Sequence, residues 1–262
     1  MSEVQSRPGG TMSTERRYGI AISVALILGG GYWALTGLTE DTKTSQDAYP
    51  VQGIALAIDS GSADLELRSG DVREITVDRK FSRNVFGADP GEKYEDGKLE
   101  IRDTGCGFLS FGCDTDYVVT VPRDLKVTIE SSSGDLKVSD LPGGATLKTT
   151  SGNIEASKVG GALTMNSSSG NLEASDLTAS SVTTESSSGN LELTFRTAPT
   201  SVQAETSSGD VTVVLPTGSE TYRVDTDTSS GDESAEVKID PVSTRTINAK
   251  TSSGDVTIEY AD

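Results

Sequence analysis

Ser131-Ser-Ser-Gly134-Asp135-Leu-Lys-Val138 decides the fold, because its pattern returns six more times along the chain. It recurs as Thr150-Ser-Gly152-Asn153-Ile-Glu-Ala156, Ser167-Ser-Ser-Gly170-Asn171-Leu-Glu-Ala174 and Ser186-Ser-Ser-Gly189-Asn190-Leu-Glu-Leu193. Three later copies are Thr206-Ser-Ser-Gly209-Asp210-Val-Thr-Val213, Thr228-Ser-Ser-Gly231-Asp232-Glu-Ser234 and Thr251-Ser-Ser-Gly254-Asp255-Val-Thr-Ile258. Successive glycines lie 18, 18, 19, 20, 22 and 23 residues apart. A period near twenty marks a solenoid, in which no repeat buries its apolar face alone and each must stack on its neighbours. The fold class read from this is all-β, a β-helix-like stack of coils running from about Leu125 to Tyr260.

Within a coil, Leu125, Val127 and Ile129 point one way while Lys126, Thr128 and Glu130 point the other, the period-two signature of a half-buried strand. Leu136 and Val138 resume the inward set after the turn. The turn glycines are expected to supply positive φ, and the Asp or Asn beside each to bond nearby backbone. Stacking places Asp135, Asn153, Asn171, Asn190, Asp210, Asp232 and Asp255 in one column, in chain order, with asparagines in the middle where stacked like charge is most costly. Connectors such as Leu141-Pro-Gly-Gly144 and Val159-Gly-Gly161 make the opposite corner. At about 4.8 Å per coil, seven coils give a rod of roughly 30–35 Å.

Working outward towards the N-terminus, Thr39–Ala48 reads as a polar linker. Gly53–Asp59, Ala63–Arg68 and Val72–Asp78 alternate as strands. Phe81–Gly97 reads as an irregular charged insert. Leu99–Arg102 and Tyr117–Val121 read as hairpin arms around Cys106-Gly-Phe-Leu-Ser-Phe-Gly-Cys113. That gives an N-terminal β region, 49–124, ahead of the solenoid, 125–262. Outside the cytoplasm, Cys106 and Cys113 are a candidate disulfide stapling the loop.

Gly19–Leu38 carries no charge over twenty residues, long enough for one transmembrane helix. Arg16 and Arg17 precede it, and Glu40 and Asp41 follow it. The positive-inside rule leaves residues 1–18 as a cytoplasmic tail and everything after Leu38 outside a single-pass cell-membrane anchor. The competing reading is a cleaved signal peptide with its apolar core at Ile20–Leu28.

Composition narrows the chemistry. A formal charge of −18 argues against nucleic acid, whose phosphates need clustered Lys and Arg. Histidine is absent, which removes His-based triads and His metal sites. The chain has no Gly-x-Ser-x-Gly elbow, no phosphate-binding loop and no Ser-x-x-Lys pair. Outward Glu155, Glu173 and Glu192 align across coils but share their face with lysines, so a two-carboxylate glycosidase is not favoured. Calcium would need Asp225, Asp227 and Asp232 to converge. No enzyme, cofactor or metal site is expected.

The run Val121–Leu141, the recurring Ser-Gly-Asn and Ser-Gly-Asp phrases, and Val214-Leu-Pro-Thr-Gly-Ser-Glu-Thr-Tyr-Arg-Val-Asp-Thr-Asp-Thr-Ser-Ser-Gly-Asp232 resemble the bacterial putative-adhesin family. It is a domain-of-unknown-function family of β-solenoids. The resemblance covers roughly Val51–Tyr260 and implies a non-enzymatic surface scaffold or adhesion module binding an envelope glycan or protein. The alternative is a sensory ectodomain working with a membrane partner in envelope stress, since the short N-terminal tail has no room for a signalling domain.

Overall fold

The computed structural model describes residues 41–83, 91–102 and 115–261. Described secondary structure is all β, in two facing sheets. The first strands are β1 (Asp41–Pro50), β2 (Ala55–Gly61), β3 (Asp64–Gly70), β4 (Glu74–Arg83), β5 (Gly91–Glu95), β6 (Lys98–Arg102) and β7 (Thr115–Pro122). Then come β8 (Lys126–Ser131), β9 (Leu136–Ser139), β10 (Ala145–Ser151), β11 (Ile154–Ser157), β12 (Ala162–Ser169), β13 (Leu172–Leu177) and β14 (Ser181–Ser188). The chain closes with β15 (Leu191–Phe195), β16 (Ser201–Ser208), β17 (Val211–Leu215), β18 (Arg223–Thr228), β19 (Glu233–Ala235), β20 (Thr246–Thr251) and β21 (Val256–Tyr260).

Each coil gives one strand to each sheet. One sheet has eleven strands in the order β1-β4-β7-β3-β9-β11-β13-β15-β17-β21-β19; the other has ten, β18-β20-β16-β14-β12-β10-β8-β2-β6-β5. Pairing is parallel throughout the coils and antiparallel only at β1–β4, β4–β7 and β5–β6. Inward side chains of both sheets form one core from Leu56 to Ile258. A typical coil buries Leu163, Met165, Leu172, Ala174 and Leu177 at 0–1% exposure. Each fully buried Leu or Met contributes about 1.5–3 kcal/mol.

Four expectations change. Nothing divides the chain near residue 124: β2 pairs with β8 and β3 with β9, so the solenoid begins at Ala55 and counts nine two-stranded coils among the described residues. Asp41–Pro50, read mostly as linker, is a strand in unbroken register with β4. Its inward positions (Ser45, Asp47 and Tyr49) face a polar cluster, so the alternation is not apolar against polar. The insert after Phe81 contains part of β4 and all of β5. Leu99–Arg102 and Tyr117–Val121 are not hairpin arms, because β6 and β7 belong to opposite sheets and form one coil. The hairpin partner of β6 is β5, with Asp96 and Gly97 at its turn, both at positive φ.

Coil order also departs from chain order at both ends. β6 and β7 lie outside β2 and β3, although β8 and β9 stack on the other side. At the far end, β20 and β21 sit between the coil of β16 and β17 and that of β18 and β19.

Candidate functional site

The repeated turn is built from three side-chain roles. The Ser or Thr three residues before the glycine points inward. The Thr149 and Ser186 hydroxyls have no partner among the described residues, whereas those of Ser131, Ser167, Thr206, Thr228 and Thr251 donate to a glycine carbonyl of the neighbouring coil. Examples are Thr251 Oγ1 to Gly209 O at 2.9 Å, Thr228 Oγ1 to Gly254 O at 3.0 Å and Thr206 Oγ1 to Gly189 O at 3.2 Å. The glycine itself has no room for a Cβ, which would collide with the backbone of the adjacent turn at all seven positions. Positive φ, from 129° to 152°, is found at Gly170, Gly189, Gly209, Gly231 and Gly254 but not at Gly134 or Gly152. Close approach between coils, common to all seven, is therefore the requirement, and the left-handed helical value near +57° does not occur.

The Asp or Asn supplies the third role. Its Oδ1 accepts the backbone N–H of the equivalent residue in the next coil. The chain of bonds runs Asp64, Asp135, Asn153, Asn171, Asn190, Asp210, Asp255, Asp232, at 2.8–3.0 Å throughout. Asp and Asn serve equally, because the bond uses only the oxygen. Two details differ from expectation: Asp255 precedes Asp232 in space, and Asp64 adds a rung. Ala63 stands there in the place of glycine, and the two extra residues after Gly61 hide the match; only Asp-Leu-Glu-Leu betrays it.

The opposite corner carries Asp140, Lys158 and Asp176 at φ 52–58°. Lys158 lies 3.9 Å from Asp140, and Arg196 lies 2.9 Å from Asp176, so the corner alternates in charge.

The outer face of the eleven-stranded sheet is polar. Lys137 meets both carboxylate oxygens of Glu155 at 2.9 Å, which raises its pKa, first through the hydrogen bond and then through the charge. Glu155, Glu173 and Glu192 continue that row in register. Near β1 the face hollows into a groove of about 480 Å³ across β1, β4, β7, β3 and β9. Asp64, Glu66, Asp78, Asp116 and Asp135 line it with Lys80, Lys137 and Arg79. Lys80 is in register with Asp116, and Asp116 with Asp64.

Between the sheets at this end lies a polar plug. Tyr49 donates to Glu92 Oε1 at 3.1 Å, and Arg79 bonds Glu92, Asp47 at 3.2 Å and Ser45 at 3.2 Å. The Tyr49 and Tyr94 rings sit 5.1 Å apart, and Tyr94 donates to Pro50 O. The Glu92 side chain is 2% exposed, and burial pushes its pKa up against the opposing pull of Arg79. Burial, followed by the Glu92 charge, pushes the Tyr49 phenol up to about 12.

Asp225 and Asp227 lie on the outer face of β18, where Lys250 holds Asp225 at 3.0 Å, and Asp232 sits in the turn column. Among the described residues no group of three or more potential ligands is gathered to hold a metal. Cys106 and Cys113, and the apolar segment Gly19–Leu38, lie outside the described residues.

A two-sheet β-solenoid with ladder-bonded turns and polar outer faces is the class of protein these features define. The chain belongs to the Toastrack DUF4097 family, whose model matches residues 54–260. It is similar in structure to a putative adhesin from Bacteroides fragilis, with TM-score 0.53 and 17% identity over 84% of this chain and 97% of that one. A putative adhesin from Parabacteroides distasonis aligns over 85% of this chain and 98% of that one, with TM-score 0.46 and 11% identity. A putative cell adhesion protein from Clostridium sporogenes aligns over 84% and 100%, with TM-score 0.37 and 16% identity. None of the curated proteins matches the chain.

Proposed function

We propose that the chain is a non-enzymatic binding module whose solenoid is held outside the cell by the single-pass anchor Gly19–Leu38. The groove between β1 and β9 carries the reading: it is the place where a polar face becomes concave and concentrates charge of both signs. Five carboxylates against the two outward cations Lys80 and Lys137 suit a cationic envelope partner, since the Arg79 guanidinium is turned into the plug. The name given to the Bacteroides fragilis protein, a putative adhesin, agrees with a binding role.

The test uses the full chain in phospholipid vesicles against defined envelope polysaccharides and purified envelope proteins. Binding that disappears in Asp116→Lys yet survives Thr183→Lys, on the opposite sheet, supports the groove. Equal loss or equal retention in both variants overturns it. Retention of the chain in membranes through an alkaline wash tests the anchor separately.

A further inference from the structure

Two sheets have four edges, and this chain blunts three of them. β19 is only three residues long. β18 carries Arg223, Asp225 and Asp227 on its outer face, and Glu233 Oε1 accepts the Thr228 N–H at 3.3 Å. Tyr222, just before it, donates to Lys238 O and accepts from the Asp240 N–H. β5 is five residues long, and its outward positions are the charged Lys93 and Glu95. Short, charged or covered edges are how β proteins prevent unwanted strand addition.

β1 is the exception. It is ten residues long, and its register with β4 runs from Asp41 opposite Arg83 to Pro50 opposite Glu74 without a bulge. Its outward positions Thr44, Gln46 and Ala48 carry no charge. Among the described residues, no strand pairs with its other edge.

We propose that β1 is a self-association strand, its free edge taken by β1 of a second copy across a two-fold axis. Two identical strands paired antiparallel make an isologous contact, and residues directly opposite share a face. Centred on Ser45, the axis sets Lys43 opposite Asp47 of the second copy, twice over, and Thr44 opposite Gln46. Opposite charges in that position favour pairing. Asp47 is available for it: its side chain is 41% exposed although Arg79 lies at 3.2 Å. The two sheets then continue into each other. Asp41 follows Leu38 by three residues, so an anchor at Gly19–Leu38 holds both copies at one height above a bilayer and raises their effective concentration. That last step rests on the anchor proposed above; the pairing does not.

The experiment uses the full chain with Cys106→Ser and Cys113→Ser, carrying either Ser45→Cys or Ala48→Cys, mildly oxidised in detergent and in vesicles. Position 45 falls on the axis, where opposed Cα atoms lie about 4.5–5.5 Å apart, within disulfide reach. Position 48 faces residue 42 and lies roughly 20 Å from its own copy. The expected result is a covalent dimer at 45 in at least tenfold excess over 48, cut roughly tenfold by adding Lys43→Glu. No excess at 45, or a yield indifferent to Lys43→Glu, overturns the pairing. If Ser45→Cys lowers the melting temperature, a mixture of Thr44→Cys and Gln46→Cys chains replaces it, since the same register joins those two positions. Cross-linking in detergent by a chain that washes off membranes keeps the pairing and removes the anchor. Firm membrane retention without cross-linking does the reverse.

Discussion

A methyl group on Gly170 would meet the carbonyl oxygen of Gly152, and the residue sits at φ 147°, where a side chain is strained. Gly170→Ala therefore combines backbone strain with a forced separation of two coils and costs about 2–4 kcal/mol. At this chain length that is a fall in melting temperature of roughly 5–15 °C, read by circular dichroism. An unchanged melt would refute the close-approach account. The adjacent rung separates oxygen from charge. Asn171→Asp keeps the Oδ1 that accepts the Asn190 N–H and should leave stability within about 0.5 kcal/mol, whereas Asn171→Ala removes it and costs about 1 kcal/mol. Equal effects of the two would show that the ladder bond contributes nothing. The glycine and Asp/Asn column is legible in the sequence because one steric demand and one acceptor recur in seven turns. The rung at Asp64 is not, because Ala63 breaks the glycine pattern.

β1 shows why a strand can be illegible. Alternation reveals a strand only when one face is apolar, and here the inward face meets Arg79 and Glu92 from other strands. That plug also makes the end of the rod sensitive to pH. Glu92 has its folded pKa raised by burial, so between the ordinary carboxylate value and the raised one the native state binds the proton more tightly. Its stability contribution is present at low pH and is lost as pH rises through the raised value. Denaturant titrations at pH 4.5 and 7.5 should show this difference in the native chain, and Glu92→Gln should shrink it. An identical difference in the variant would assign it elsewhere. Tyr49 acts in the same sense at the alkaline end: its contribution is lost as pH climbs from about 10 through 12.

For the whole molecule, the period is a unit of construction. Ile154–Asn171 runs from just after one Asn rung to the next, and the coils on either side pair in register. Deleting these 18 residues should leave a cooperative, soluble fold with a rod shorter by about 4.8 Å. Deleting Leu147 alone, from the middle of β10, turns the inward side chains on one side of the cut outward and should not fold. Calorimetry and small-angle scattering on both deletions check this, and folding of the shorter deletion would contradict it. The stack itself was readable from the repeat, but its order at the ends was not, since nothing in a repeat says which neighbour it chooses. The last coil, β20 and β21, wedges between two that precede it in the chain. An emerging polypeptide can therefore pile up its coils one by one only as far as β17. The penultimate coil then waits, unable to find its seat until the final fifteen or so residues arrive to form the surface on which it rests. Completion is a keystone event: a chain cut short before Thr246 leaves β18 and β19 without the strands on which they rest.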